Sequence, residues 1–353
     1  MHSKQSKFKR ITVIVLAVIN VLLAAVLLIS AFSGMLPPHD YPRMSVLPLF
    51  FPFFLLANIF FLVLWLFIRR KMMLISAIAM LACITDIRAY FPLNMPENVP
   101  DDAIRIISMN LGTAKNKAKN PAVEFFIDQN ADILCLQEVC WRKNWIDDLR
   151  VKEQFPYIRY IDRKCKMFCL SKYPIVRAEE IAYNGGMNMS MAVWLEINND
   201  TLLLVNNHFQ SYGIGKKLME EYTNITKKST SLTDREKGTK DVFSCLVEGN
   251  RKRGPQVDMV CRFLDEHPQR LTVVCGDFNE TANGYAHYKL TKNLHDAFTL
   301  AGNGFGFTYS RNKIHYRIDH ILCSDAIEPF DCHIDKSCNL SDHFPIICDL
   351  KLQ

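Results

Sequence analysis

LTVVCGDFNE, residues 271–280, is a short apolar run that breaks at Gly276 into Asp277, Phe278, Asn279 and Glu280. The β-branched Thr272, Val273 and Val274 favour extended backbone, and a run this brief bounded by glycine reads as a buried strand. A carboxylate and an amide therefore follow directly on a strand end. The same pattern recurs along the chain: Ile106-Ile107-Ser108-Met109-Asn110, Leu134-Cys135-Leu136-Gln137-Glu138, Leu204-Val205-Asn206-Asn207-His208, Arg317-Ile318-Asp319-His320 and Ser341-Asp342-His343. Taken singly, each is a turn residue, a cap or a structural histidine. Six such endings within residues 106–343 are a pattern, because open α/β folds gather their chemistry at strand ends along one edge.

Around these endings strands and helices alternate. Ile104–Asn110, Ile133–Glu138, Met191–Ile197, Leu202–His208, Leu271–Cys275, Ile318–Cys323 and Ile346–Leu350 read as strands, and Asn120-Pro121 opens an amphipathic helix reaching about Gln129. No repeat with a period of 20–50 residues is evident. The expectation is an α/β (α+β) domain over residues 103–353, long enough to bury one core. Ser211–Gly254 stands apart, with ten Lys/Arg against six Asp/Glu, Arg251-Lys252-Arg253 among them. It reads as a solvated insertion with a helical piece, or as a surface for anionic headgroups or a polyanionic substrate.

The N-terminal part is of another kind. Residues 11–32 form an uncharged run long enough to span about 30 Å of hydrocarbon. Residues 46–68 form a second, with Pro48 and Pro52 in its first turns, and 72–90 a third candidate that carries Asp86 and Arg88. A cleaved signal peptide is the competing reading of the first run, disfavoured by its length and by the runs that follow. Lys4, Lys7, Lys9 and Arg10 precede the first run and Arg69-Arg70-Lys71 follow the second, so both clusters read as cytoplasmic. Residues 1–92 are thus expected to be a multi-pass membrane segment in contact with the lipid bilayer, and 93–102 a linker. If 72–90 crosses, the remaining chain lies on the non-cytoplasmic side.

Charge and thiols narrow the classes further. Residues 1–100 hold nine Lys/Arg against three Asp/Glu, which leaves 33 of each sign in residues 101–353. The soluble part has no net basic field, which speaks against an avid nonspecific binder of nucleic acid. The twelve cysteines include no CxxC pair and no zinc-like spacing. Carboxylates, amides and two histidines without a thiol suit Mg²⁺, or Mn²⁺, better than zinc.

In order and content the set resembles the endonuclease/exonuclease/phosphatase superfamily, which includes pancreatic-type DNase, abasic-site endonucleases, inositol polyphosphate 5-phosphatases and neutral sphingomyelinases. The matching stretches are ISMNLG (107–112), LQEV (136–139), NNHFQS (206–211), GDFNE (276–280), FTY (307–309), RIDHI (317–321) and SDHFP (341–345). The resemblance implies a four-layer sandwich of two packed β-sheets flanked by helices, preceded here by a transmembrane helical segment. It implies Glu138 as the principal metal ligand, with Asn110 and Asp342 completing or orienting that site. Asp277 matches the carboxylate that takes a proton from the attacking water, and Asn279 the amide that holds the water or the phosphate. His343 matches the histidine on the nonbridging oxygens, Asp319 its carboxylate partner, and His208 a phosphate contact or leaving-group acid. Asn207 stands where many members have threonine. Asn188 is read as a phosphate contact or a turn residue, Tyr309 as lining the cleft or packed, and Arg317 as a phosphate ligand or half of an ion pair.

The implied activity is that of a Mg²⁺-dependent phosphoesterase whose partner is a phosphate-ester substrate, nucleic acid or lipid headgroup. No protein partner is inferable. A non-catalytic phosphate- or membrane-binding protein on the same fold is the alternative, opposed by the presence of every one of these demanding residues. A transporter finds little support, because the apolar runs offer no buried charge pair for a path.

Overall fold

The computed structural model describes residues 2–112, 120–139, 148–163, 166–183, 188–213, 232–311 and 314–353. Residues 214–231 of the basic stretch, and Gly185 to Met187 before Asn188, lie outside the described residues.

Two six-stranded mixed sheets pack face to face. One runs in the order β13-β14-β1-β2-β4-β3, the other β5-β6-β7-β8-β12-β9. The first contains β1 (Ile104–Asn110), β2 (Ile133–Val139), β3 (Tyr157–Ile161), β4 (Lys166–Ser171), β13 (Ile327–Ile334) and β14 (Ile346–Leu352). The second contains β5 (Ile175–Ile181), β6 (Met189–Ile197), β7 (Asp200–His208), β8 (Leu271–Asp277), β9 (His295–Asp296) and β12 (Asp319–Cys323). Alternate residues divide between two cores, as the period of a strand requires. Ile106, Cys135, Val193, Leu204, Val273 and Ile321 meet between the sheets. Ile107, Met109, Leu134 and Leu136 instead face the helix α5 (Asn120–Asp128) through Ala122, Val123 and Phe126. On the outer face of the second sheet Leu203, Val205 and Val274 meet Val257 and Val260 of α6 (Leu232–Glu266) and Tyr285 of α7 (Tyr285–Leu290). Both faces of the central strands are covered, so they read as nearly unbroken apolar runs.

Each sheet holds one central parallel pair. Asn110 lies opposite Gln137 in β1/β2, and His208 opposite Asp277 in β7/β8. The carboxyl ends of both pairs point the same way, and Asp319, at the start of antiparallel β12, is in register with Asp277. A small hairpin, β10 (Tyr309–Arg311) with β11 (Ile314–Tyr316), stands at that edge.

Ahead of the sandwich stand α1 (His2–Phe32) and α2 (Phe51–Ile68), both long and apolar enough to cross a membrane. They run antiparallel: Trp65 Nε1 donates to Asn20 Oδ1 at 2.8 Å, and Asn58 Nδ2 to the Leu23 carbonyl at 3.1 Å. Pro48 falls in a 3₁₀ turn, Met44–Phe50, ahead of α2, and Pro52 takes the first turn of α2, where its missing N–H costs nothing. The third apolar stretch is not one straight helix. It breaks at Cys83 by 66° into α3 (Met73–Ala82) and α4 (Ile84–Tyr90). The physical reason lies in α4, whose polar groups bond to the sandwich: Asp86 accepts from Asn283 Nδ2 at 3.2 Å and the Ala89 carbonyl from Arg317 Nη2 at 2.6 Å. Ser76 of α3 joins the Asn20 and Asn58 amides in a buried polar knot. Arg69 and Met72 lie beside Val13 and Ile14 near the start of α1, whereas the Tyr90 ring packs on Phe51, 6.1 Å away, at the other end of the bundle.

That second end is fastened to the sandwich. Asn250 Nδ2 donates to the Ser45 carbonyl at 2.7 Å, and Gly254 lies so close to Pro38 that a Cβ would stand 3.0 Å from its ring. The Asn94 amide donates to Gly302 and Thr299 carbonyls. The expected linker is thus laid against the domain at its first residues.

Candidate active site

The six strand endings named from the sequence meet in one cleft at the shared edge. Asp277 is its centre. Its carboxylate is 1% exposed and accepts from Asn110 Nδ2 at 2.8 Å and Asn279 Nδ2 at 3.0 Å, while Nε2 of His208 and of His343 stand 3.9 and 4.0 Å away. Burial, then the nearby charge of Asp319, pushes its pKa up to about 6 against the lowering influence of both histidines. It is a carboxylate poised to take a proton near neutrality.

Local backbone aims these groups. Gly276 has φ 122°, and a Cβ there would strike the Asn207 backbone, so only glycine lets β8 run this close to β7 before turning. Asn279 adopts φ 52° with its N–H on Asp277 Oδ1 at 2.7 Å. Glu138, at φ 51°, occupies an irregularity in the β2/β4 register. Such a bulge turns a side chain that regular pleating would bury toward the cleft.

Glu138 is the most open of these acids, its side chain 31% exposed, with Oε1 at 3.0 Å from His208 Nε2 and 3.3 Å from Asn110 Nδ2. Burial raises its pKa, but His208, Asn110 and His343 prevail and hold it at about 2. Asn110 meets both carboxylates through its amide nitrogen, since its oxygen accepts the Gly112 N–H at 2.8 Å; it holds them in place. Asp342 sits beyond Gly112, with Arg311 Nη1 at 3.6 Å. A hard dication suits this donor set: an anionic, partly open Glu138, a second carboxylate nearby, and no thiol.

His343 donates through Nδ1 to Asp319 Oδ2 at 2.9 Å, and both are buried. Burial alone would lower the imidazole pKa; Asp319, then Asp277, outweighs it and lifts it to about 10. The ring is therefore an imidazolium at neutral pH, with Nε2 toward the cleft side of Asp277. Asp277, Asp319 and His343 are close enough to share an ion, but the Nδ1 bond to Asp319 marks a charge-paired histidine. Burial also opposes a charge on His208, yet its carboxylate neighbours Glu138 and Asp277 raise its pKa.

Of the remaining residues named from the sequence, Tyr309 lies against His343, ring centroids 5.0 Å apart and edge-on, and forms a backbone bridge with it. Asn188 donates to the Phe209 carbonyl at 2.8 Å, which Asn279 Nδ2 also bonds at 3.0 Å, so it borders the same corner. Arg317 is a correction to the phosphate-ligand reading. Its guanidinium is 4% exposed and is taken up by Asp296 at 2.9 Å, His320 Nδ1 at 3.1 Å and the Ala89 carbonyl. The ion-pair reading describes it. The basic run also divides: Arg251 is exposed and paired with Glu248, while Arg253 is buried, donating to the Gln210 carbonyl at 2.9 Å and facing Glu280 at 3.6 Å.

The sequence reading missed the polar floor beneath the cleft. Gln137 Nε2 crosses between the sheets to Asn206 Oδ1 at 2.7 Å and also donates to Ser108. These residues lay inside the quoted strand endings, and their polarity on an otherwise apolar face was the available signal.

A family model described as "Endonuclease/Exonuclease/phosphatase family" matches residues 107–343, and one described as "Domain of unknown function (DUF8431)" matches residues 12–90. No curated protein matches the chain. Among solved structures, the endonuclease/exonuclease/phosphatase from Bacteroides vulgatus is 19% identical, covers 72% of this chain and 100% of its own, and has a TM-score of 0.50. The human Nocturnin catalytic domain with bound sulfate anion is 15% identical, with coverage of 72% and 97% and a TM-score of 0.50. D. rerio TDP2 complexed with single strand DNA product is likewise 15% identical, with coverage of 71% and 100% and a TM-score of 0.50. At such identities the likeness is one of fold. The match over 107–343, the two-sheet sandwich and the gathered strand endings together establish that this chain belongs to the endonuclease/exonuclease/phosphatase family.

Proposed function

We propose that the chain is a membrane-tethered, Mg²⁺- or Mn²⁺-dependent phosphoesterase that hydrolyses its substrate by attack of an activated water on phosphorus. The observation that carries this reading is the meeting of Asp277 with both histidines and Glu138, residues drawn from both sheets and separated by up to 205 positions. A dication held by Glu138, with Asp342 near it, would supply Lewis-acid neutralisation of the phosphate oxygens. The chain's own groups account for the rest. Asp277 takes the proton of the incoming water, steadied by Asn110 and Asn279. The His343 imidazolium, kept charged by Asp319, faces the nonbridging oxygens as negative charge builds on them. His208 lies on the Glu138 side, placed to protonate the departing alkoxide or to contact the phosphate. Tyr309 and Asn188 border the substrate.

The division into a membrane segment (1–92), linker (93–102) and catalytic domain (103–353) belongs to the same proposal, as do three crossings and a non-cytoplasmic catalytic domain. Supporting it, residues 70–90 start beside the basic, N-terminal end of α1 and finish against Phe51 at the opposite end. If the basic end is cytoplasmic, the sandwich fastened to the other end lies outside.

The test is turnover of bis-p-nitrophenyl phosphate by the full chain in detergent. Activity with Mg²⁺ or Mn²⁺ that chelation abolishes, and that Asp277→Asn and His343→Ala each remove, is the expected result. Turnover that survives both substitutions overturns the roles. No turnover with either metal returns the chain to the alternative, a phosphate- or membrane-binding protein on this fold.

A further inference from the structure

Three parts of the cleft rim in the second sheet are tied to the end of the helical bundle. The loop that follows Asp277 and Asn279 reaches it through Asn283, which donates to Asp86 and lies directly against Gly34. The approach to Asp319 reaches it through Arg317, bonded to the Ala89 carbonyl, and through Tyr316, whose hydroxyl donates to the Leu49 carbonyl at 3.5 Å. The segment after His208 reaches it through Arg253, which holds the Gln210 carbonyl and Asn250; Asn250 in turn donates to Ser45. Leu49, Ser45 and Gly34 belong to the connection between α1 and α2, where the apolar helices end. These bonds hold the catalytic edge of the sandwich at that end.

From the same end an aromatic ladder leads to the cleft. Phe91, the residue after α4, meets Phe305 with centroids 4.7 Å apart; Phe305 stacks on Phe307 at 5.1 Å and 7°; Phe307 meets His315 of the hairpin at 5.9 Å. That hairpin carries Tyr309, whose ring lies on His343. Phe91 is 38% exposed and Phe305 47%, with exposed Leu93, Met95 and Leu300 on adjoining segments. Solvated aromatics in a row are costly in water and at home at the headgroup level of a bilayer.

Resting on the phosphoesterase reading above, we propose that the substrate is a lipid phosphodiester taken from the leaflet that the bundle end enters, with Phe91, Phe305 and Phe307 receiving its apolar part while the phosphorus reaches Asp277 and His343. The charge balance agrees, since 33 acidic and 33 basic residues in 101–353 leave no net positive charge to gather a soluble polyanion. In the reaction water adds to phosphorus, its proton passes to Asp277, and one P–O ester bond breaks. The departing alkoxide takes up a proton, leaving an alcohol and a phosphomonoester.

The test uses the full chain in vesicles of phosphatidylcholine, phosphatidylethanolamine, phosphatidylglycerol and sphingomyelin, with phosphomonoester release followed by phosphorus NMR. Glycerophosphocholine, bis-p-nitrophenyl phosphate and a single-stranded oligonucleotide serve as soluble comparators. The expected result is hydrolysis of a bilayer lipid at least 100-fold more efficient than that of glycerophosphocholine. The doubly substituted Phe305→Ser, Phe307→Ser chain should lower the ratio of lipid to bis-p-nitrophenyl phosphate hydrolysis at least tenfold. Turnover of bis-p-nitrophenyl phosphate with no lipid product, preference for the oligonucleotide, or an unchanged ratio in the substituted chain overturns the lipid assignment and leaves the phosphoesterase reading standing. Failure on bis-p-nitrophenyl phosphate as well overturns both.

Discussion

Replacing Asp319 with asparagine separates the charge of the site from its shape. The two side chains are nearly isosteric, and an amide oxygen can still accept from His343 Nδ1 across 2.9 Å. What disappears is a buried full charge. His343 has an ordinary pKa of 6.5, which burial would lower; Asp319, ahead of Asp277 and Asp342, raises it to about 10. That lift of roughly 3.5 units corresponds to about 5 kcal/mol favouring the imidazolium. Asp319 is the largest raising influence, so its neutralisation should bring the His343 pKa down by about 1–3 pH units, the usual effect of an opposite charge this near. The assay is kcat/KM of the full chain on bis-p-nitrophenyl phosphate from pH 5 to 10.5. The alkaline limb, set by loss of the His343 proton, should move down by about 1–3 pH units while activity near pH 6.5 falls much less. Stability should follow the same group. Because the folded pKa lies above the unfolded one, the stabilisation is complete below pH 6.5 and is lost as pH rises through about 10. In Asp319→Asn that loss begins at lower pH. An alkaline limb that stays in place, or a loss equal at all pH values, refutes the electrostatic account of the dyad.

Other outcomes follow from neighbouring groups. Activity should decline below pH about 6 as Asp277 binds its proton, and Asp277→Asn should abolish that limb along with roughly 10²–10⁴-fold of the rate; a pH profile keeping the limb counts against Asp277 as the base. Glu138→Gln should weaken activation by Mg²⁺, read as a rise in the metal concentration for half-maximal rate. An unchanged titration removes Glu138 from the metal site. Arg317→Met leaves the buried Asp296 carboxylate its bonds from His287, Thr299 and Phe298 but takes away its arginine countercharge, strands the Ala89 carbonyl, and should cost about 3–5 kcal/mol, seen as a fall in Tm of roughly 6–20 °C in detergent. A fall of under 2 °C contradicts the ion-pair assignment. In intact cells, Arg43→Cys should add labelling by an impermeant maleimide above that of the native thiols and Arg69→Cys should add none; the reverse pattern inverts the proposed orientation.

The strand endings were legible because they obey a local rule: a buried strand must be apolar, and the first polar residue after it marks the edge. That is why Ile104–Asn110 is bounded alike in sequence and structure. What decides α4 is not local. Its stretch reads as the end of a membrane span, and bonds from Asn283 and Arg317, about 200 and 230 residues away, hold it as a short helix turned toward the sandwich. Arg317 was ambiguous for the same reason, since an arginine beside an acidic strand end is a phosphate ligand or an ion pair depending on where Asp296 falls. The run Arg251-Lys252-Arg253 looked uniformly solvated, yet helical period sends its third member inward while the first faces water. The left-handed Glu138 leaves no trace in composition, because its conformation is imposed by the irregular register with β4.

The knot formed by Asn20, Asn58, Ser76 and Trp65 has a consequence for how the protein meets its surroundings. Amides and an indole N–H buried between apolar helices have nowhere else to bond, so the three helices are denied the rolling and sliding that purely greasy neighbours permit. With the sandwich bolted to that keyed base, the cleft cannot swing like a weight on a string. In the proposed bilayer setting it would keep a constant compass heading, and diffusion in the plane of the lipid sheet would be the freedom left for bringing a target to it.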